Sequence, residues 1–244
     1  MAHIDDLLIG GLKTLGEKPG GDASRAKKQN YSQRVSEVWA QALAEDLRSR
    51  GLDAARPAPP GVLGGSGAER RVAGGLGPKR VDVSWATEES GLLLGVSVKT
   101  INFRDQRSGN FQKNLTNRRG DMLFESVTLH RRFPFAVLAG FLVLDHNAAS
   151  DATQARRTTF ENAHARFRLF TGRDDPAGRD EQYEALYVVL LDANPFQPAL
   201  ETFALGDPSS PVELGDALDG LIGLVATRNP DFYESVGGNL EKLR

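Results

Sequence analysis

The sequence predicts an α/β fold with one mixed β-sheet and helices on both faces, and three observations support this. Apolar residues recur at helical spacing over residues 31–50 and in three later segments. Short, nearly continuous apolar runs at residues 92–101, 135–144 and 185–192 are typical of buried strands. After a first hairpin, helices and strands alternate, which is the order that builds a sheet covered on both faces.

Ten segments follow one another along the chain as predicted elements. They are helix 31–50, strand 80–85, turn 87–91, strand 92–101, helix 114–132, strand 135–144, helix 153–170, strand 185–192, edge strand 200–205 and helix 212–227. In the first helix, Val35, Trp39 and Leu43 recur at helical spacing, and Gly51 ends the pattern. The first two strands form a hairpin because only a short polar turn separates them.

We expect one main domain, over residues 31–244, because no linker divides the predicted core. Residues 1–30 are rich in Gly and Lys and are expected to form an N-terminal arm that is partly loose. Residues 56–78 are rich in Gly and Pro, which predicts a long mobile loop. This loop contains no Gly-Lys-Ser/Thr sequence, so a phosphate-binding P-loop is excluded.

The composition excludes several classes of function. The chain has 244 residues and no Cys, which excludes disulfide scaffolds, thiolate zinc sites and thiol nucleophiles. Its four His do not have metal-ligand spacing, and no GxSxG or GxGxxG motif occurs in the required context. No apolar run approaches 18 residues and no signal-peptide pattern is present, so we expect a cytoplasmic protein without a membrane span.

The charges are distributed unevenly along the chain. Residues 1–173 hold 26 Lys and Arg against 18 Asp and Glu, whereas residues 174–244 hold 4 against 14. The net charge of −2 therefore combines a part of +8 with a part of −10. This pattern indicates a basic working surface, for which nucleic acid is the commonest partner. The alternative is ordinary solvated helix faces.

Three residues of the predicted hairpin form a candidate catalytic group. Asp82 lies on the first strand, and Ser97 and Lys99 lie on one face of the second because strand side chains alternate. Carboxylate oxygens bind Mg²⁺, which activates water and stabilises charge on a phosphorane-like transition state. A lysine adds a cation near the scissile phosphate. The same Asp82 and Lys99 could instead cap a turn and extend to solvent at a strand end.

The segment from Pro78 through Asp82 to Ser97-Val98-Lys99 resembles the PD-(D/E)xK nuclease superfamily, the fold of many type II restriction endonucleases. The resemblance implies a restriction-endonuclease-like mixed sheet with flanking helices. It also implies a Mg²⁺-dependent DNA endonuclease, a hydrolase of phosphodiester bonds that cuts double-stranded DNA as a homodimer. Glu37 matches a third acidic position that several members use, so it is an auxiliary metal ligand in this interpretation, and an ordinary solvated glutamate otherwise.

The family's carboxylate two residues before the lysine is replaced by Ser97, which is a poor metal ligand. Some restriction enzymes with Ser-x-Lys supply the missing carboxylate from the following helix. Asp121 and Glu125 share one face of that helix, and we favour Glu125 because its neighbours are apolar. The alternative is a catalytically degenerate nucleic-acid-binding protein of the same fold.

A basic stretch adjoins these residues. Between Lys99 and Arg132 there are eight Lys and Arg against three Asp and Glu, with several amides among them. Guanidinium groups suit phosphates and guanine edges, and amides suit adenine edges. The predicted DNA-binding residues are Arg104, Arg107, Asn114, Asn117, Arg118 and Arg119. The competing interpretation is a solvated helix face.

Overall fold

A computed structural model describes residues 3–59, 61 and 70–243. The helices are α1 (His3–Lys13), α2 (Arg25–Ser49), α3 (Leu115–His130), α4 (Thr159–Phe167) and α5 (Leu214–Arg228). The strands are β1 (Arg70–Gly74), β2 (Gly77–Val81), β3 (Val83–Thr87), β4 (Gly91–Ile101), β5 (Val137–Asp145), β6 (Ala185–Asp192), β7 (Ala199–Ala204), β8 (Pro211–Val212), β9 (Tyr233–Val236) and β10 (Asn239–Lys242).

Six of these strands form one mixed sheet in the order β3-β4-β5-β6-β7-β8. Its centre is parallel, with Lys99 of β4 opposite Leu142 of β5, and β5 in turn parallel to β6. The outer strands β3, β7 and β8 run antiparallel to their neighbours. Because parallel strands need crossovers, α3 connects β4 to β5 and α4 lies between β5 and β6.

Helices cover both faces of the sheet, which confirms the predicted mixed α/β class. One apolar core joins α1, α2 and α5 to one face, with β4 contributing Leu94, Val96 and Val98. The second core joins α3 and α4 to the opposite face, where β4 contributes Leu92 and Ile101. A β-bulge at Leu93, which also belongs to the first core, shifts the alternation within β4. Beyond the bulge, alternation directs Leu94, Val96 and Val98 toward α2 and the residues between them toward α3.

The segment expected to be a partly loose arm contains a helix that packs on α2. Ile4, Leu8 and Leu12 of α1 are fully or almost fully buried in the first core. His3 Nδ1 lies 3.0 Å from Asp46 Oδ1, and Arg50 binds the other carboxylate oxygen of Asp46. The apolar positions recur every four residues, so amphipathic packing outweighs the high Gly and Lys content of this segment. The helix predicted to begin at residue 31 also begins earlier, at Arg25.

The single strand expected over residues 80–85 is divided at Asp82 into β2 and β3. β2 pairs with β1 in a separate two-stranded sheet, so the C-terminal part of the expected loop 56–78 is a hairpin. Residues 60 and 62–69 of that loop lie outside the described residues. The strand breaks because Asp82 accepts the backbone N–H of Val98 with its side chain.

The C-terminal residues form a hairpin that the predicted elements do not include. β9 and β10 pair across Gly237 and Gly238, which have positive φ angles of 56° and 79°. Two consecutive residues of this conformation define the tight turn that suits a β-hairpin. In the described part of the chain, none of the helices is both long and apolar enough for a membrane span.

Candidate active site

Alternation along β4 directs Lys99 toward α3. Val96 and Val98 enter the core beside α2, so Ser97 and Lys99 lie on the other face of the strand. Ser97 is buried, and Lys99 is half-buried near the end of the strand. The local sequence thus places one cation near the end of β4, on the face of the sheet that α3 covers.

Asp82 is held beside Lys99 by the backbone of β4. Its Oδ2 atom accepts the N–H of Val98 at 2.6 Å and a hydrogen bond from Lys99 Nζ at 3.2 Å. Val83 pairs with Val96 just beyond, so the break between β2 and β3 fixes the carboxylate at this point. The described hydrogen bonds of Asp82 use only Oδ2, which leaves Oδ1 free to bind a ligand.

The second carboxylate comes from α3. Glu125 is only 3% exposed, and its Oε2 lies 3.5 Å from Lys99 Nζ. Because Asp82 Oδ2 lies 3.2 Å from the same nitrogen, the two carboxylate oxygens are at most 6.7 Å apart. This separation is within the roughly 5–8 Å over which two carboxylates can share a metal ion and its waters.

Burial and neighbouring charges shift the pKa values of Lys99 and Glu125. Burial works to lower the pKa of Lys99, but the carboxylates of Glu125 and Asp82 outweigh it and raise the pKa. Lys99 therefore stays protonated. Burial raises the pKa of Glu125, although the charge of Lys99 opposes that change. Glu125 is thus a carboxylate that an additional cation would stabilise in its ionised form.

These residues line a polar cavity of about 330 Å³ between α2 and α3. Lys79, Arg118 and Asp121 also line it, and Ser36 of α2 closes one side. Within the described ranges, no group of three His, Cys, Asp or Glu side chains forms a metal cluster. The two hard carboxylates Asp82 and Glu125 nevertheless fit one Mg²⁺ that keeps several of its waters, which is its usual mode of binding.

Glu37 and Asp121 were also predicted as possible metal ligands, and the structure places them differently from Glu125. Glu37 is exposed on α2, accepts a hydrogen bond from Gln33, and lines a groove between α1 and α2 instead of this cavity. The structure therefore does not bring Glu37 together with Asp82, Lys99 and Glu125. Asp121 does line the cavity, but it is exposed and lies 3.5 Å from Arg118 Nη1.

The predicted DNA-binding residues lie around the loop before α3 and along its first turns. Arg118 lines the cavity, and its Nη2 lies 3.5 Å from the carbonyl oxygen of Thr100. Arg104 stacks over the ring of Phe111 at 5.4 Å from the centroid. The others are exposed: Arg107, Asn114, Asn117 and Arg119.

The predicted site residues did not include two basic residues that line the cavity, Lys79 and Arg80. Lys79 directly follows Pro78 and belongs to β2, and its charge opposes the rise that burial causes in the pKa of Glu125. Its position three residues before Asp82 is the signal that could have indicated it, because the short β2 brings both to the same end of the hairpin.

No protein-family model matches this chain, and neither a curated protein nor a solved structure matches it.

Proposed function

We propose that this chain is a Mg²⁺-dependent DNA endonuclease with a restriction-endonuclease-like fold, acting as part of a type II restriction or related defence system. The observation that carries the proposal is the convergence of Asp82 and Glu125 on Lys99 in one polar cavity. Two carboxylates and one lysine at a sheet edge are the groups that metal-assisted phosphodiester hydrolysis requires.

Each group has a separate task in this proposal. Asp82 and Glu125 would hold the metal, which supplies Lewis-acid stabilisation and an activated water when it is bound. Lys99 orients both carboxylates and places a positive charge where the scissile phosphate accumulates negative charge. Lys79 and Arg118 bind the non-bridging phosphate oxygens at the mouth of the cavity.

The reaction is a displacement at phosphorus. A water oxygen bonds to the phosphorus and releases a proton to solvent, the bond to the leaving sugar oxygen breaks, and that oxygen takes up a proton from solvent. The burial of Glu125 strengthens these electrostatic contributions because few waters screen the charges. Cutting both strands of a duplex takes two such sites, so we propose that the active form is a homodimer located in the cytoplasm.

The direct test is plasmid cleavage with and without Mg²⁺. We expect the wild-type chain to cut only with Mg²⁺, and Asp82→Ala and Lys99→Ala each to reduce cutting by at least about 100-fold, since each removes several kcal/mol of transition-state stabilisation. Glu37→Ala is the matched control, because this exposed carboxylate lies outside the cavity and its removal leaves the rate unchanged.

Two outcomes would reject the enzymatic proposal. Undiminished cutting by either cavity variant would show that these residues do not perform the chemistry. Duplex binding by the wild-type chain without cutting, at any Mg²⁺ concentration, would favour the alternative of a catalytically degenerate nucleic-acid-binding protein.

A further inference from the structure

The N-terminal part of α2 forms a strongly basic surface that the predicted DNA-binding residues do not include. No Asp or Glu occurs between residues 23 and 36. We call the side chains of this part the basic face of α2, and they are Arg25, Lys27, Lys28, Gln29, Asn30, Gln33 and Arg34. All are exposed except Lys28, which is half-buried. Three turns of helix thus present four cations and three amides to solvent.

Few groups in the protein neutralise this charge. Arg34 donates to the carbonyl of Thr14 at 3.2 Å, and Lys28 donates to the carbonyl of Gly21. Among the described residues, the side chains of Arg25 and Lys27 form no ion pair or hydrogen bond. The positive potential of this surface is therefore available to an external anion.

One side of the basic face, which carries Arg25 and Gln29, continues into the candidate active site, whereas Lys27 lies about 160° around the helix from Arg25. Arg25, Gln29, Ser32 and Ser36 follow the i, i+4, i+7, i+11 spacing of one helix face. Ser36 lines the cavity, and Ser32 accepts a hydrogen bond of 3.1 Å from Asn102, just beyond the strand of Lys99. Arg25 therefore lies about 16 Å along the helix axis from the cavity.

The helix is held firmly in this position. Tyr31 is buried and packs edge-on against Phe103, with 5.9 Å between the ring centroids. Lys18 binds Asp145 at the end of β5 and lies over the same Phe103 ring, which fixes the connection between α1 and α2. A surface with so rigid a support binds a partner with little loss of conformational entropy.

We propose that the basic face of α2 binds the phosphate backbone of double-stranded DNA on one side of the cleavage site. This inference rests on the proposed function and adds a second helix to the substrate surface, because α3 carries Arg118 and Arg119 on the other side of the cavity. A membrane is disfavoured as the partner, since the surface lacks the large apolar side chains that insert into lipid.

The test is the salt dependence of duplex binding by the whole chain. Fluorescence anisotropy with a 30-base-pair duplex, in Ca²⁺ to prevent cutting, compares the wild type with Arg25→Ala/Lys27→Ala. Each lost phosphate contact reduces the log–log salt slope by about 0.9, so the double variant loses about two units of slope. The matched control is Arg132→Ala/Lys242→Ala, which removes two exposed charges near the start of β5 and on β10 and leaves the slope unchanged.

The outcomes separate this inference from the proposed function. If the double variant keeps the wild-type slope while the wild type binds and cuts DNA, the inference is wrong and the proposed function stands. If the wild type does not bind duplex DNA at all, both are wrong. Arg25→Gln/Lys27→Gln keeps the polar character of the helix, and the same loss of slope in this variant supports a charge effect and opposes a folding defect.

Discussion

Two buried glutamates differ in how completely neighbouring protein groups bind their carboxylates. Glu184 binds Arg173, Arg228 and the N–H of Leu138. Burial works to raise its pKa, but the hydrogen bond and charge of His130 and the charge of Arg228 outweigh burial and lower the pKa. Among the residues that the structure describes, Glu125 forms an ion pair with Lys99 alone, and its pKa is raised. Glu184 is fully satisfied by protein groups, whereas Glu125 retains capacity for a further cation.

His164 links stability to pH at a position remote from this chemistry. It is 4% exposed, its Nδ1 accepts the N–H of Gly206 at 3.0 Å, and burial lowers its pKa to about 4. Between pH 6.5 and 4 the unfolded chain therefore binds a proton that the folded chain does not. We expect the free energy of unfolding to fall as the pH drops through this window, by about 3 kcal/mol at most.

Urea unfolding at several pH values measures this effect. His164→Gln removes the titrating group, so the decrease between pH 6.5 and 4 becomes smaller in that variant. An identical decrease in the wild type and His164→Gln would show that other groups cause it.

The residue-level predictions from sequence succeeded where the strand period alone determined the outcome. Lys99 and Ser97 share a face because side chains alternate along any strand, and Glu125 follows on a helix that must cross that face. The sequence left Glu37 open between a metal ligand and a solvated glutamate, because its position depends on how α2 rotates on the sheet. That rotation is set by tertiary packing, which one sequence does not specify.

At the scale of elements, α1 is the main addition to the predicted organisation. Its buried positions Ile4, Leu8 and Leu12 recur every four residues, so a signal was present. It was outweighed by Gly10, Gly11 and the flanking lysines, which favour a loose segment when considered by composition. The division at Asp82 left no pattern in the sequence, because it arises from a side chain that replaces a strand hydrogen bond.

The structure makes α1 part of the core, and this is testable with one substitution. Leu8 is 0% exposed, so Leu8→Ala leaves a cavity between α1 and α2 and lowers the free energy of unfolding by about 2–5 kcal/mol. Leu169→Ala is the matched control, because Leu169 is 66% exposed and its removal changes stability by less than about 0.5 kcal/mol. Equal stabilities of the two variants in urea unfolding would contradict the packing of α1.

For the whole molecule, topology explains how residues distant in sequence reach one cavity. Asp82 and Lys99 meet because β3 and β4 are antiparallel neighbours, and Glu125 joins them because the crossover from β4 to its parallel neighbour β5 passes over one face. The order of elements predicted this arrangement. The contribution of α2 could not be predicted. Ser36 reaches the cavity because α2 packs on the sheet through the first core, and these contacts join segments far apart in the sequence.

In the proposed active site, Glu125 supplies the carboxylate that Ser97 cannot provide. The measurement that tests it most directly is the single-turnover rate of Mg²⁺-dependent plasmid cleavage by Glu125→Ala and by Ser97→Glu/Glu125→Ala. We predict that Glu125→Ala cuts at least about 100-fold more slowly than the wild type, and that Ser97→Glu in the same chain restores part of the rate. A Glu125→Ala variant that cuts at the wild-type rate would show that Glu125 does not supply the missing carboxylate.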